Sequence, residues 1–443
     1  MSPFNLVSLC VLLSTSFLVE GKKGFGPGEQ DWGHITVRDG AHLFYWLYYT
    51  TAQVSNYTER PLAIWLQGGP GGSSTGYGNF EELGPLTLEL TYRNHTWVKD
   101  MNVIFLDNPV GTGFSYVDNK KYLTTDNKMI ALDFVEFLKQ FYRKHPEFRK
   151  TPLHIFSESY GGKMAAEIAL ELYKAIKAKK IDCNFQSVAL GDAWVSPMDS
   201  VYSWAPLLLQ MGIIDHPGHD EIMAAAKRVE VALKNGKFVE ATNLWGITQR
   251  VLLSNSAGVD FYNILKKTPA YFLKMNSLVK NLDVAMYDTL VHFDRPISRR
   301  QTLDQLMKGA VSKTLNIPRH VTWGSQSNVV FSTLSGDFMK PVVHIVEELL
   351  NKTDINVNVF SGHLDLICAT PGTINWVDRL RWHSWQQYYN APRRTISVNG
   401  VLEGYFKQGG RFAMYWVNRA GHMVPNDNPA AMSFILKKTT NFG

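Results

Sequence analysis

The sequence has little cysteine, since its 443 residues include only Cys10, Cys183 and Cys368. Cys10 lies in the apolar N-terminal stretch described below, so at most one disulfide is possible in the rest of the chain. A small domain held together by a disulfide framework is therefore excluded. A hydrophobic core must stabilise the fold instead, and a chain of this length can bury a large one.

The chain also lacks a strong charge bias and the common motifs for metals and nucleotides. It has 45 Lys and Arg against 39 Asp and Glu, a net charge of +6, with no dense basic stripe. A nucleic-acid partner is therefore not expected. The sequence contains no His-Glu-x-x-His, no Cys-x-x-Cys and no glycine-rich loop ending in the lysine of a P-loop. We expect neither a metal site nor a cofactor.

Long hydrophobic runs are absent apart from one at the N-terminus, over residues 4–19. With the small-residue site Val19-Glu20-Gly21 behind it, this run predicts a secretory signal peptide over residues 1–21. A buried N-terminal helix is the alternative interpretation. No later run approaches the roughly 20 apolar residues of a membrane-spanning helix, so no membrane span is expected.

Three Asn-x-Thr tripeptides fit passage through the secretory pathway. They begin at Asn56, Asn94 and Asn351, which we expect to be glycosylation acceptors. A secreted or lysosomal location follows from these sites and the signal peptide, whereas the sequence indicates no oligomeric state.

Short apolar runs alternate with amphipathic helical patterns in the first half of the chain. Candidate strands lie at 62–66, 103–106, 154–156 and 188–190, with candidate helices at 130–142 and 163–177. This alternation predicts an α/β fold of parallel strands with crossover helices on both faces. The pattern resumes with strands at 356–360 and 412–417 and a closing helix after Pro429.

A different pattern lies between these two halves. Residues 196–320 read as mostly helical and have few strand-like runs, and no Pro/Gly/Ser-rich linker flanks them. We therefore favour a helical cap inserted above the sheet over a free-standing domain. The expected organisation after the signal peptide is core residues 22–195, cap residues 196–320 and core residues 321–443.

A strand, a tight turn and a helical pattern surround Ser159. The apolar run 153–156 precedes the stretch Ser-Glu-Ser-Tyr-Gly-Gly at 157–162. In the α/β-hydrolase fold a serine at such a strained turn is the nucleophile, and the residues two before and two after it must be small. Ser157 and Gly161 fill these positions. Although turns of small residues are common, the stretch predicts Ser159 as nucleophile and a mostly parallel central sheet flanked by helices.

Five further stretches accompany this turn. They are Trp-Leu-Gln-Gly-Gly-Pro-Gly-Gly-Ser-Ser at 65–74, Glu-Glu-Leu-Gly-Pro at 81–85, Asn-Pro-Val-Gly-Thr-Gly-Phe-Ser-Tyr at 108–116, Asp-Leu-Ile-Cys at 365–368 and Ala-Gly-His-Met-Val-Pro at 420–425. Together they resemble the motifs of the serine carboxypeptidases, and the resemblance runs from about residue 36 to the C-terminus. It implies an α/β-hydrolase that removes C-terminal residues from peptides and proteins.

The remaining members of the predicted triad follow Ser159 in the order Asp365, His422, which is that of α/β-hydrolases. His422 lies on a glycine-containing loop after a strand and is the expected general base, which Asp365 orients. Taken singly, His422 could be a structural loop histidine and Asp365 a helix N-cap. Asp354 and Asp378 are poorer alternatives, because neither follows a strand end in a small-residue setting.

The resemblance also implies two binding functions near the serine. It assigns the oxyanion hole to the backbone N–H groups of Gly69 and Tyr160, although the glycine loop could be a plain tight turn. It assigns the grip on the substrate's C-terminal carboxylate to these groups: the Gln67 amide, the Gly68 N–H and the carboxyls of Glu82 and Glu158. Two acids can hold a third carboxylate only if protons are shared, which implies an acid operating pH. The alternative for Glu82 is a solvated surface glutamate.

Four residues depart from the family pattern without removing a triad member. Gln67 replaces an asparagine, Gly72 a cysteine that normally closes a disulfide, His363 an aspartate and Ser157 a glycine. These changes bear on efficiency and substrate preference, not on fold. The expected function is that of a serine-type carboxypeptidase working through an acyl-enzyme at acid pH. The alternatives are an acyltransferase or esterase with the same triad, which needs no carboxylate grip, and a non-catalytic secreted scaffold.

Overall fold

A twelve-stranded sheet forms the centre of the molecule in a computed structural model that describes residues 22–266 and 302–442. The predicted signal peptide and part of the predicted cap lie outside these residues. In chain order the strands are β1 Lys22–Lys23, β2 Glu29–Arg38, β3 Ala41–Tyr48, β4 Leu62–Leu66, β5 Asn102–Asp107, β6 Tyr116–Val117, β7 Leu153–Glu158, β8 Phe185–Gly191, β9 Asn356–Gly362, β10 Arg394–Val398, β11 Val401–Gly409 and β12 Phe412–Val417.

The sheet is parallel in its centre and antiparallel at both edges. Its order is β1-β2-β3-β5-β4-β7-β8-β9-β12-β11-β10, with β6 paired to β3. The six strands from β5 to β12 in this order pair in parallel. All residues of β4, β5, β7 and β12 are buried, as expected where helices cover both faces of a sheet. The predicted parallel α/β core is confirmed, and the antiparallel edges make the whole sheet mixed.

Fourteen α-helices occur in the described residues. They are α1 Asn127–Lys144, α2 Tyr160–Lys177, α3 Pro197–Gln210, α4 His216–Lys234, α5 Phe238–Asn255, α6 Leu303–Leu306, α7 Ser312–Thr314, α8 Asn328–Thr333, α9 Ser335–Phe338, α10 Val343–Lys352, α11 Thr370–Asp378, α12 Trp385–Asn390, α13 Val424–Asp427 and α14 Pro429–Thr440. Short 3-10 helices lie at Tyr57–Glu59, Trp97–Lys99, Lys120–Tyr122 and Pro146–Lys150, and π-helical segments at Ser74–Leu83 and Met307–Val311.

Alternate residues of the central strands enter two separate cores, one on each face of the sheet. Ile64 and Ile155 pack in the core that α1 and α2 cover. Trp65 and Phe156, their chain neighbours, pack in the other core, together with residues of α14. This is the two-residue period of a strand with both faces buried.

The chain between β8 and β9 contains helices and no strand in its described part. The long helices α3, α4 and α5 lie in the region 196–320 that the sequence pattern assigns to a cap. The helical run continues past residue 320, and α10 packs against α2 and β9 as a crossover helix of the core. The exact bounds of the cap stay a prediction.

Both cysteines that follow the predicted signal peptide are free. Cys183 is half-buried and Cys368 is buried, so the disulfide that the sequence allowed does not form. Among the described residues, no helix combines the length and the apolar character that crossing a bilayer requires.

Candidate active site

Ser159 stands between the end of β7 at Glu158 and the start of α2 at Tyr160. Its backbone has φ 62° and ψ −129°, a conformation that is strained for a residue with a side chain. Two hydrogen bonds stabilise this backbone conformation. The Ser159 N–H donates to the Gly191 carbonyl at 2.9 Å, and the Ser159 carbonyl accepts from the Gly162 N–H at 2.9 Å. The turn therefore has the geometry expected from the sequence.

The neighbours of Ser159 are small because the turn lies against other backbone. A Cβ on Gly161 would lie 2.3 Å from the Leu66 carbonyl oxygen. Ser157 is buried and its hydroxyl donates to the Ala189 carbonyl at 2.8 Å. Ser157 therefore points into the sheet, which explains how a serine is accommodated there and removes it as a competing nucleophile.

Asp365 and His422 meet through a hydrogen bond of 2.8 Å between Asp365 Oδ2 and His422 Nδ1. Asp365 is fully buried and its Oδ1 accepts from the Cys368 N–H at 3.3 Å. Because Nδ1 is engaged, the Nε2 atom is the one available to a nucleophile, and His422 and Ser159 line one cavity. The alternatives Asp354 and Asp378 are both exposed.

A loop of the predicted cap supports the two loops that carry Asp365 and His422. The Tyr262 carbonyl accepts from the His422 N–H at 2.7 Å, and its ring lies edge-on to the imidazole with centroids 5.1 Å apart. The Phe261 carbonyl accepts from the N–H groups of Leu366 and Ile367 at 3.1 and 3.0 Å. Sequence reasoning missed this loop, although Asp260 is a turn-forming residue and accepts the Tyr262 N–H at 2.7 Å.

The glycine loop after β4 touches Ser159 directly. A Cβ on Gly68 would lie 2.5 Å from Ser159 Cβ and 3.0 Å from its Oγ, so only glycine fits. Gly69 has φ 109°, which also favours glycine. The Tyr160 N–H belongs to the first turn of α2, where no intrahelical acceptor exists. The structure thus brings Gly68, Gly69 and Tyr160 to the serine.

Asp107 anchors this loop and was not predicted from the sequence. It is the last residue of β5. It accepts hydrogen bonds from Ser73 Oγ at 2.8 Å, Thr75 N at 3.0 Å, Thr75 Oγ1 at 2.8 Å and Phe114 N at 2.9 Å. Burial raises the pKa of Asp107 to about 6 despite these donors. Since Phe114 belongs to the stretch 108–116, Asp107 ties two of the five family-like stretches together.

Gln67, Glu82 and Glu158 form one buried polar cluster beside the cavity. Trp65 Nε1 donates to Gln67 Oε1 at 2.8 Å, and Gln67 Nε2 donates to Glu158 Oε1 at 2.8 Å. The longer side chain of Gln67 therefore spans the distance between Trp65 and Glu158. Glu82 is 1% exposed, so it is not the surface glutamate that the alternative interpretation required.

Each of the two glutamates in this cluster changes the pKa of the other. Burial raises the pKa of Glu82 to about 7, although the proximity of Glu158 and Gln67 opposes the rise. Burial, and then the charge of Glu82, raise the pKa of Glu158 well above its usual range. Both oxygens of Glu82 and Oε2 of Glu158 receive no hydrogen bond from the described residues. A proton shared between the carboxyls is the group that can satisfy them.

The walls of the cavity are mostly aromatic or apolar, and the segment between β8 and β9 supplies four of the aromatic side chains. They include the side chains of Tyr77, Trp194, Trp245, Tyr262, Phe338, Ile367 and Met423. Trp245 and Phe338 form a T-shaped pair with ring centroids 4.7 Å apart. Ile367 and Met423 belong to two of the family-like stretches. The aromatic residues were not singled out from the sequence, because isolated aromatic residues are indistinguishable from core.

Three potential metal-ligating side chains also lie close together in the described structure. Atoms of Asp365, Cys368 and His422 lie within 4.8 Å of one another. The hydrogen bond between Asp365 and His422 accounts for this proximity, so we do not identify the group as a metal site.

The three predicted glycosylation acceptors lie on the surface. Asn56, Asn94 and Asn351 are all exposed. The Asn351 side chain is engaged, since its Nδ2 donates to the Arg381 carbonyl at 2.9 Å. The Asn56 amide oxygen caps a short helix by accepting the Thr58 N–H at 2.9 Å.

Comparison with known proteins places these features in a family. The family model described as serine carboxypeptidase matches residues 21–441. The chain is 42% identical to the retinoid-inducible serine carboxypeptidase of Mus musculus, covering 98% of both chains. It is 44% identical to the Homo sapiens protein of that name, covering 90% of this chain and 89% of the other. It is 36% identical to serine carboxypeptidase-like 51 of Arabidopsis thaliana, covering 96% and 95% of the two chains.

Solved structures show the same fold. Kex1(delta)p, a prohormone-processing carboxypeptidase from Saccharomyces cerevisiae, superimposes with a TM-score of 0.77 at 22% identity, covering 94% of this chain and 91% of the other. This likeness confirms the predicted α/β-hydrolase fold.

Proposed function

Because the chain belongs to the serine carboxypeptidase family and is a serine-type carboxypeptidase acting on peptides, we propose that Ser159, His422 and Asp365 are its catalytic triad. The observation that carries the proposal is the strained Ser159 turn, which shares a cavity with a histidine whose Nδ1 is bonded to a buried aspartate. Ser159 Oγ attacks the carbonyl carbon of the last peptide bond while His422 Nε2 takes the hydroxyl proton. His422 then gives this proton to the leaving amine as the C–N bond breaks.

Water completes the reaction with His422 again acting as base. The water molecule loses a proton to His422 Nε2 and attacks the carbonyl carbon of the acyl-enzyme. The ester bond to Ser159 Oγ then breaks as the proton returns to that oxygen. Asp365 stabilises the imidazolium that forms in each step. The N–H groups of Gly69 and Tyr160 stabilise the oxyanion, a role supported by the contact of the glycine loop with Ser159.

The Gln67, Gly68, Glu82 and Glu158 cluster holds the C-terminal carboxylate of the substrate. Its support is the buried pair of glutamates with unfilled hydrogen-bonding capacity next to the serine. A pair that retains protons can donate hydrogen bonds to a carboxylate, whereas a fully ionised pair repels it. This requirement makes acid pH the working range of the enzyme.

A comparison of kcat/KM for a peptide and for the same peptide with an amidated C-terminus tests whether this cluster binds the substrate carboxylate. As pH rises through about 7, Glu82 loses its proton and kcat/KM for the free acid should fall. A like-charge pair at close range costs on the order of 1–4 kcal/mol, which is about 5-fold or more. The amide carries no such charge, and its hydrolysis should persist toward neutral pH. If the pH profiles of kcat/KM for the two peptides superimpose, the cluster does not bind the carboxylate, and the esterase or acyltransferase alternative is favoured.

A fluorophosphonate probe tests the nucleophile independently of the substrate. The wild-type protein and Ser157→Ala should be labelled, whereas Ser159→Ala should not, because Ser157 is turned into the sheet. Absence of labelling in the wild type would favour the non-catalytic scaffold. Labelling that persists in Ser159→Ala would show that another residue is the nucleophile.

The working compartment is the secretory pathway, with the protein secreted or lysosomal. The support is the predicted signal peptide and the exposure of the Asn56, Asn94 and Asn351 acceptors. A lysosomal compartment also matches the acid working range that the glutamate pair requires.

A further inference from the structure

Asp192 is a buried acid beside the triad that belongs to none of the family-like stretches. It follows the end of β8, is 0% exposed, and has φ 38°, in the left-handed region. Its N–H donates to the Phe360 carbonyl at 2.8 Å, and its Oδ1 accepts from the Gly362 N–H at 2.9 Å. Both hydrogen bonds connect Asp192 to the end of β9, whose last residue, Gly362, lies three residues before Asp365. Burying a carboxyl group here is costly unless it has a partner.

The side chain of Asp192 interacts with the carboxyl group of Asp365. Asp192 is fully buried, and its Oδ2 atom receives no hydrogen bond from an N–H or O–H donor of the described residues. Two carboxyl groups can hydrogen bond only when one of them carries a proton. Asp365 already accepts from His422 and from the Cys368 N–H. The proton therefore belongs on Asp192.

The electrostatic surroundings favour this assignment. Burial, and then the charge of Asp365, raise the pKa of Asp192 well above its usual range, while the Gly362 N–H and the Ser361 hydroxyl oppose the rise. Glu158 and Cys368, both buried, also interact electrostatically with Asp192, and His422 lies on the far side of Asp365. Neither Glu158 nor Cys368 supplies a positive charge that would ionise Asp192.

We propose that Asp192 is a positioning residue that works as a neutral carboxylic acid, donating a hydrogen bond to Asp365 and thereby fixing the carboxylate that orients His422. A carboxylate held by one more donor keeps its orientation toward His422 Nδ1 during turnover. This role rests on the proposed triad.

Asparagine and alanine at position 192 separate the roles of the proton and of the side chain. Asp192→Asn keeps an N–H donor for Asp365 and an oxygen for Gly362, and asparagine tolerates positive φ. We expect its kcat within about 3-fold of the wild-type value at pH 5, since the donor is retained. Asp192→Ala removes the donor, and we expect kcat to fall about 10- to 100-fold with little change in KM.

The split between kcat and KM gives a readout that a purely structural role would not move. With an amidated peptide, which does not use the proposed carboxylate-binding cluster, kcat should fall in Asp192→Ala while KM stays in place. Neither constant should move appreciably in Asp192→Asn. Circular dichroism and urea unfolding establish that both variants are folded. A folded Asp192→Asn as inactive as the alanine variant, or an unchanged kcat in Asp192→Ala, would overturn the proposal.

Infrared spectroscopy tests the proton without turnover. The wild-type minus Asp192→Asn difference spectrum in D2O should show the carbonyl stretch of a protonated carboxylic acid at pH 5. A carboxylate band in its place would overturn the proposal even if the alanine variant does not fold. Because Ser159→Ala labelling tests the triad separately, failure of the triad and failure of the Asp192 assignment are distinguishable.

Discussion

Replacing Glu82 with glutamine should remove much of the pH dependence of stability. Burial raises the pKa of Glu82 from 4.5 to about 7 in the folded protein. Between these values the folded state binds more protons than the unfolded state, so the free energy of unfolding falls as pH rises. A difference of about 2.5 pKa units corresponds to at most about 3 kcal/mol, the full loss being reached above pH 7. Glutamine mimics the protonated acid and carries no such dependence.

The assay is urea unfolding of the purified protein at pH 5, 6.5 and 8. Wild type should lose stability across this series, and Glu82→Gln should lose less, because only the ionisation of Glu158 and other groups remains. The two proteins should differ little at pH 5, whereas the variant should be the more stable at pH 8, by about 1–3 kcal/mol.

Glu81→Gln is the matched control, since it makes the same substitution at the next residue. The charge of Glu81 is the last and smallest of the named influences on Glu82, so most of the wild-type slope should remain. Parallel curves for wild type and Glu82→Gln would refute the reasoning. This result would mean that Glu82 is ionised in the folded protein at acid pH.

Two further predictions concern the geometry around the serine. Gly68→Ala places a methyl group 2.5 Å from Ser159 Cβ. Fluorophosphonate labelling should therefore fall about 100-fold or more while the circular dichroism spectrum stays unchanged. Normal labelling would show that the glycine loop can move aside. Asp260→Ala loosens the turn whose Tyr262 carbonyl holds the His422 N–H, so the labelling rate should fall about 10-fold. His216→Ala, at the exposed start of α4, should leave it unchanged, and equal rates in the two variants would show that the turn does not support His422.

The antiparallel strands toward the edges of the sheet could not be predicted from the sequence pattern. The central strands were predicted because they are short apolar runs between amphipathic helices, and β4 was predicted with its bounds of 62–66. The antiparallel strands β2, β3, β10 and β11 were not. In β2 and β10 polar and apolar residues mix, because an edge strand is only partly buried. Their pairing is decided by neighbours distant in sequence.

What the sequence by itself determined was local. A strained turn between a strand and a helix leaves a signature of small residues, so Ser159, the glycine loop and the family followed from short stretches. The residues that support these stretches have no such signature, because their roles arise from contacts across the fold. Tyr262 reaches His422 from a segment 160 residues earlier, and Asp192 reaches Asp365 across two adjacent strands. Only the tertiary structure brings such groups together, since burial and the charge of a neighbour, not residue type, decide which carboxyl group keeps its proton.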